Sequence, residues 1–117
     1  MRDHTKLRAF ELADELVLLI YISTKGFPKE EIYGLTSQIR RAAVSVPTNI
    51  VEGCARSSKA EYHRFLEMAF ASLRELSYQF GLSIRLGYIN DQDDSIRTCK
   101  LKITETEKVL GALLRST

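Results

Sequence analysis

The chain has 117 residues, 44% of them hydrophobic and 27% charged, and a net charge of only +2. That length and apolar content predict one domain over residues 1-117 with its own core, and leave no room for two. The longest apolar run, Leu16 to Ile22, falls far short of the roughly 20 residues needed to cross a bilayer, and the charged N-terminus does not read as a secretion signal; the expectation is a cytoplasmic protein with no membrane partner.

From Asp3 or Thr5 as N-cap, a first helix carries Leu7, Phe10, Ala13, Leu16, Val17 and Ile20 at spacings of three and four, and is expected to end near Gly26. Phe27-Pro28 makes a short connection, and residues 29 to 33 form a turn before the break at Gly34.

Residues 34 to 56, GLTSQIRRAAVSVPTNIVEGCAR, read as a second helix with faces of opposite character. Leu35, Ile39, Ala42, Ala43, Val46 and Ile50 form a core stripe. Gln38, Arg41, Ser45, Thr48, Asn49, Glu52 and Arg56 form a polar stripe whose groups can bond one another or a partner. Val44, Pro47 and Val51 occupy a third strip. Pro47 removes a backbone donor and crowds the carbonyl four residues back, so a bend is expected there, with Ser45 or Thr48 available to the freed Ala43 carbonyl.

Ser58 and Glu61 then spell a capping box, and a long third helix follows from about Lys59 to Leu86, stopped by Gly87. Its main face is Tyr62, Phe65, Leu66, Ala69, Leu73, Leu76, Phe80 and Ile84. A weaker strip holds Met68, Ala71, Leu82 and Leu86 with Glu75 among them, a carboxylate expected to pair with Arg41 or Arg40. Asp91, Asp93 and Asp94 open a fourth helix, complementing its positive end, and Ile96, Cys99, Ile103, Thr106, Leu110 and Leu113 line its inner face. The four helices and short connections predict an all-α, antiparallel up-down-up-down bundle. Apolar strips left over on the second and third helices predict self-association.

Chemistry-bearing residues are sparse. His4 and His63 are the only histidines, and His63 lacks a second ligand at metal-binding spacing. The run Asp91-Gln92-Asp93-Asp94 resembles the opening of a calcium loop, but the twelfth position is Lys102 where a bidentate glutamate is required. Cys54 and Cys99 read as buried free thiols. No glycine-rich phosphate loop, nucleophile elbow or Cys-His pair is present, so neither an enzyme nor a cofactor is expected.

Charge is distributed unevenly. Residues 1 to 33 hold five basic and six acidic groups, whereas residues 34 to 88 hold seven basic and four acidic ones. Arg40, Arg56, Lys59 and Arg64 cluster at the junction of the second and third helices, beside the N-terminal amides of the third; with Arg41 they are the candidate phosphate contacts. A solvated charged face fits the same residues. Gln38, Arg41, Ser45, Asn49, Glu52 and Glu75 make a candidate polar network, tying the second helix to the third and to a neighbouring subunit.

The run GLTSQIRRAAVSVPTNIVEGCAR followed by SSKAEYHRFLEMAFASLREL resembles the small four-helix-bundle proteins encoded in intervening sequences of bacterial 23S ribosomal RNA genes. The likeness extends from AFELADEL to LGYI. The family is similar in turn to the accessory variability proteins of diversity-generating retroelements, and that resemblance implies a pentameric helical ring whose basic surface engages nucleic acid and a reverse transcriptase. One departure is Ala71-Ser72 in the third helix, where the family usually has Gly-Ser; it bears on the closeness of helix contact there. The combined expectation is a non-enzymatic, homo-oligomeric bundle, a pentamer by resemblance, that binds RNA or DNA backbone, or a nucleoprotein, through basic residues of the second and third helices. The alternative is a protein-interaction scaffold without direct nucleic-acid contact.

Overall fold

The computed structural model describes residues 2–117 and is all-α, a four-helix bundle with no strand among the described residues. The helices are α1 (Arg8–Ser23), α2 (Leu35–Ala55), α3 (Lys59–Arg85) and α4 (Asp94–Arg115), with 3-10 turns at His4–Lys6 and Lys29–Glu31. At 1.5 Å per residue α3 runs most of the 43 Å long axis. Each helix touches two others, and the α2–α3 contact is the most extensive.

The first helix starts later and stops earlier than the sequence suggests. Asp3 caps the 3-10 turn instead, its Oδ1 accepting from the Thr5 amide at 3.0 Å. Helix α1 ends at Ser23 because the Thr24 hydroxyl donates back to the Ile20 carbonyl at 2.8 Å, closing the last turn from the side. The buried face of α1 is also rotated: Ala9, Leu12, Ala13, Leu16 and Ile20 are inside, whereas Leu7, Phe10 and Val17 are half-buried. Four consecutive apolar positions in LVLL leave the periodicity ambiguous, and the packing of α2 and α4 on either side decides it.

In α2 every expected core residue is buried. Pro47 departs from its expected strip: it is buried within the unbroken helix, while Val44 and Val51 remain partly exposed. Pro47 lies two turns from Arg40, whose guanidinium donates to Thr24 at 2.9 Å, so proline falls on the side that α2 turns to α1. Neither expected hydroxyl serves the Ala43 carbonyl: Ser45 bonds Ser72, and Thr48 is exposed.

Ser58 forms the first half of the capping box, accepting from the Glu61 amide at 3.1 Å, while the Glu61 carboxylate turns to Arg64 at 3.6 Å. At the far end of α3 the amides of Gly87 and Tyr88 bond the carbonyls of Ile84 and Ser83, and Gly87 has φ of 77°. That left-handed residue lets the chain reverse after α3 without a Cβ clash. Glu31 then ties three segments together, accepting from the Leu35 amide at 3.0 Å and from the Tyr88 hydroxyl at 2.7 Å, with the Tyr88 ring packed on Phe27 at 5.3 Å. The core is one continuous cluster from all four helices, with Ile20, Ile39, Ile50, Leu66, Leu73, Leu76 and Leu110 fully enclosed. No helix among the described residues is long and apolar enough to cross a membrane.

Candidate nucleic-acid interface

The basic residues singled out by sequence separate into two places. At the end of the bundle where α2 runs into α3, the guanidiniums of Arg56 and Arg64 both lie over the Phe65 ring, each 4.8 Å from its centroid. Phe65 is itself buried, at 8% exposure, so its ring gives two long cationic side chains, which would otherwise sample many rotamers, a shared surface to lie on. Each also reaches a carboxylate of its own helix, Arg56 to Glu52 at 3.3 Å and Arg64 to Glu61 at 3.6 Å. Those four side chains are 42% to 58% exposed; such solvated pairs contribute roughly 0–1 kcal/mol, and an incoming phosphate can displace the carboxylates. Lys59 is exposed at the first turn of α3 and has no ion-pair partner among the described residues.

Arg40 does not join them. Its Nε donates to Thr24, its Nη2 to the Tyr21 carbonyl at 3.5 Å, and its guanidinium stacks on Tyr21 at 4.7 Å. Arg40 is a fastener between α1 and α2, which sets it apart from the other expected phosphate contacts at the α2–α3 junction. Sequence could not show this, because Thr24 and Tyr21 are brought to it only by folding.

Arg41 instead faces outward, with Gln38, Ala42 and Ser45, into a hollow of about 400 Å³ whose other wall is Ser72 and Glu75 of α3. The expected network therefore exists in fragments. Ser45 and Ser72 share a 2.8 Å hydrogen bond across the two helices, and the Asn49 amide donates to the Ser45 hydroxyl at 3.0 Å and to its carbonyl at 2.9 Å. Glu52 is turned to Arg56. The expected pairing of Glu75 with Arg41 or Arg40 is absent: Glu75 is exposed and makes no ion pair among the described residues, although it borders the same hollow as Arg41. Neighbouring Arg74 does pair, with Glu107 of α4 at 3.0 Å, a contact no helical spacing within one segment signals.

A further cation escaped the sequence reading. Arg2 hydrogen-bonds through its amide to the Cys54 carbonyl at 2.9 Å and lays its guanidinium on Tyr62 at 3.9 Å, at the same end of the bundle as Lys59. Sixty residues separate Arg2 from Tyr62, so only the tertiary arrangement could reveal it.

The nucleophilic and titratable residues are held in packing contacts. Burial pushes the Cys99 thiol up to about 11 and raises that of Cys54, where the nearby Arg2 charge opposes the effect. Half-buried His63 shares a 2.6 Å hydrogen bond with the Thr117 hydroxyl and lies 3.7 Å from Glu67. His4 packs edge-on to Phe10 at 4.7 Å. Among the described residues no group of three His, Cys, Asp or Glu is placed to hold a metal ion.

Fold and site together define a small all-α bundle that carries stacked arginines at one end and an open polar hollow between its second and third helices. Residues 5–112 match the family described as 23S rRNA-intervening sequence protein, and the chain belongs to that family. It is similar to a solved structure from Bacteroides thetaiotaomicron, described as a protein with unknown function from the S23 ribosomal protein family. The two are 21% identical, the match covers 92% of this chain and 95% of that one, and the TM-score is 0.79. At that identity the likeness shows the fold. No curated protein matches the chain.

Proposed function

We propose that this protein is a non-enzymatic homo-oligomeric ring of antiparallel up-down-up-down bundles that binds nucleic-acid backbone through Arg56, Lys59 and Arg64, with Arg41 given to the contact between subunits. The observation that carries the reading is the pair of guanidiniums held on Phe65 beside unpaired Lys59. Arginine forks pre-oriented on an aromatic face suit phosphate oxygens, so the reading is of backbone contact, not of sequence.

The antiparallel arrangement is supported by the order of cross-helix contacts. Ser45 meets Ser72 while Gly53 approaches Phe65, and Arg74 meets Glu107 while Gly111 approaches Phe70. Assembly is supported by apolar surface that one bundle leaves uncovered, including Val44, Val51 and Leu86. Arg41 and Glu75 add to this: two opposite charges border one hollow without pairing, an arrangement satisfied when each meets its counterpart on a neighbouring subunit. A ring repeats each mild basic patch around its axis and so sums a field that the +2 charge of one chain does not supply.

Filter binding of purified protein to a ribosomal RNA fragment and to unrelated duplex DNA, at two ionic strengths, tests the reading. Affinity is expected to fall steeply with salt and similarly for both sequences, and replacing Arg56 and Arg64 by glutamine is expected to flatten the salt slope by about one unit per lost phosphate contact. Salt-independent or absent binding would leave the scaffold reading, which the same uncovered apolar residues support.

A further inference from the structure

We propose that the hollow beside Arg2 and Lys59 binds the terminal phosphomonoester of an RNA strand, so that the protein grips a strand end as well as its backbone. The inference rests on the nucleic-acid reading above and adds to it a specific place and a specific chemical group.

The hollow has a volume of about 320 Å³ and is walled by three separate segments: Arg2, the first turn of α3 with Lys59 and Tyr62, and the end of α4 with Leu113 and the two residues that follow the helix, Ser116 and Thr117. That is room for a single nucleotide. Walls from three segments accept a chain end more readily than a strand passing through. Two cations border this space, and neither has an ion-pair partner among the described residues. The adjacent acid, Asp3, is turned away, its carboxylate accepting from the amide and hydroxyl of Thr5 at 3.0 and 2.6 Å.

Arg2 is also set in position. Its amide is tied to the Cys54 carbonyl and its guanidinium carbon sits over Tyr62, 3.9 Å from the centroid, a buried ring that cannot swing away. A phosphodiester within a strand carries one negative charge, whereas a terminal phosphomonoester carries about −1.5 to −2 at neutral pH. Two unpaired cations therefore favour the strand end over the interior, Arg2 as a planar fork and Lys59 as a mobile point charge. Leu113 offers an apolar wall for the terminal sugar or base. Arg56 and Arg64, at the same end of the bundle, are placed for the phosphates that follow.

Fluorescence anisotropy with two short single-stranded RNAs of identical sequence, one with a 5′-phosphate and one with a 5′-hydroxyl, tests this on the full-length protein. The phosphorylated strand is expected to bind about tenfold more tightly. Arg2→Gln should erase that difference while leaving the affinity for the 5′-hydroxyl strand within about twofold, as expected of a charge outside the proposed backbone contacts; Lys59→Gln should erase it too and also weaken the 5′-hydroxyl strand, since Lys59 serves the backbone as well. Arg56→Gln should weaken both strands alike. Circular dichroism checks that each variant keeps its helix content. Equal binding of the two RNAs overturns this inference and leaves the backbone reading standing; a preference that survives both substitutions also overturns it. Displacement of the phosphorylated strand by equimolar 5′-AMP overturns it in favour of a free mononucleotide. Failure of either RNA to bind at low salt overturns the inference together with the proposed function.

Discussion

Two glycines inside helices have opposite reasons to be there. A Cβ at Gly53 would meet the Phe65 Cβ at 3.0 Å and Tyr62 atoms at 3.4 Å, and Phe65 Cβ is bonded directly to the backbone of α3, so the helices themselves would have to separate. A Cβ at Gly81 would meet nothing within 4 Å. Alanine is favoured over glycine in a helix interior by about 1 kcal/mol, and only the second site can realise that gain. Gly81→Ala is expected to raise the thermal midpoint and Gly53→Ala to lower it, measured by circular dichroism; a rise in both would show that α2 and α3 are less closely fitted than the Gly53 contact implies. Read as letters, the two positions look alike. The separation between α2 and α3 distinguishes them.

At the scale of elements, the N-terminus of α2 has no side-chain cap from its own N-cap residue, Gly34. Glu31 supplies the missing acceptor, and the same carboxylate holds Tyr88 from the segment after α3. The Leu35 amide, and then the Tyr88 hydroxyl, lower the pKa of Glu31 from its ordinary 4.5. A carboxyl whose folded pKa lies below its unfolded value contributes stability that is fully present above the unfolded value and is lost as pH falls through the folded one. Asp3, lowered by Thr5, and Glu15, lowered by Lys102, act in the same direction. The thermal midpoint is therefore expected to decline as pH falls below about 4.5, and Glu31→Gln to make that decline shallower, since one proton-linked group is gone. An unchanged slope would assign the acid sensitivity to Asp3 and Glu15.

The helices themselves were legible from the letters. Three- and four-residue spacing located α2 and α3 almost to their ends, because both carry clear core stripes and both stop at a recognisable signal, Arg56-Ser57-Ser58 for one and Gly87 for the other. Helix α1 was less legible. Its run of large apolar residues supports more than one inward face, and a threonine bonding its own helix ends it before the glycine that marks the boundary in sequence.

For the whole molecule, the consequential feature is the hollow bordered by Arg41 and Glu75. If those charges meet across subunits in the proposed ring, Arg41→Glu and Glu75→Arg should each reduce the particle mass by light scattering, and the double variant should restore it. Circular dichroism would remain unchanged throughout, since neither side chain holds its own bundle together. A mass unaffected by all three variants would remove these residues from any subunit contact.

By itself the sequence determined the all-α class, the number of helices, most of the core and the position of the basic cluster at the α2–α3 junction, since each follows from local periodicity, capping and charge along one chain. Only the tertiary structure decided that Arg40 is spent on α1, that Arg41 and Glu75 share a hollow unpaired, and that Arg2 lies on Tyr62 beside Lys59. The physical reason is common to all three. Which partner a long charged side chain finds depends on groups that folding brings within a few ångströms from far along the chain, and no local pattern carries that distance.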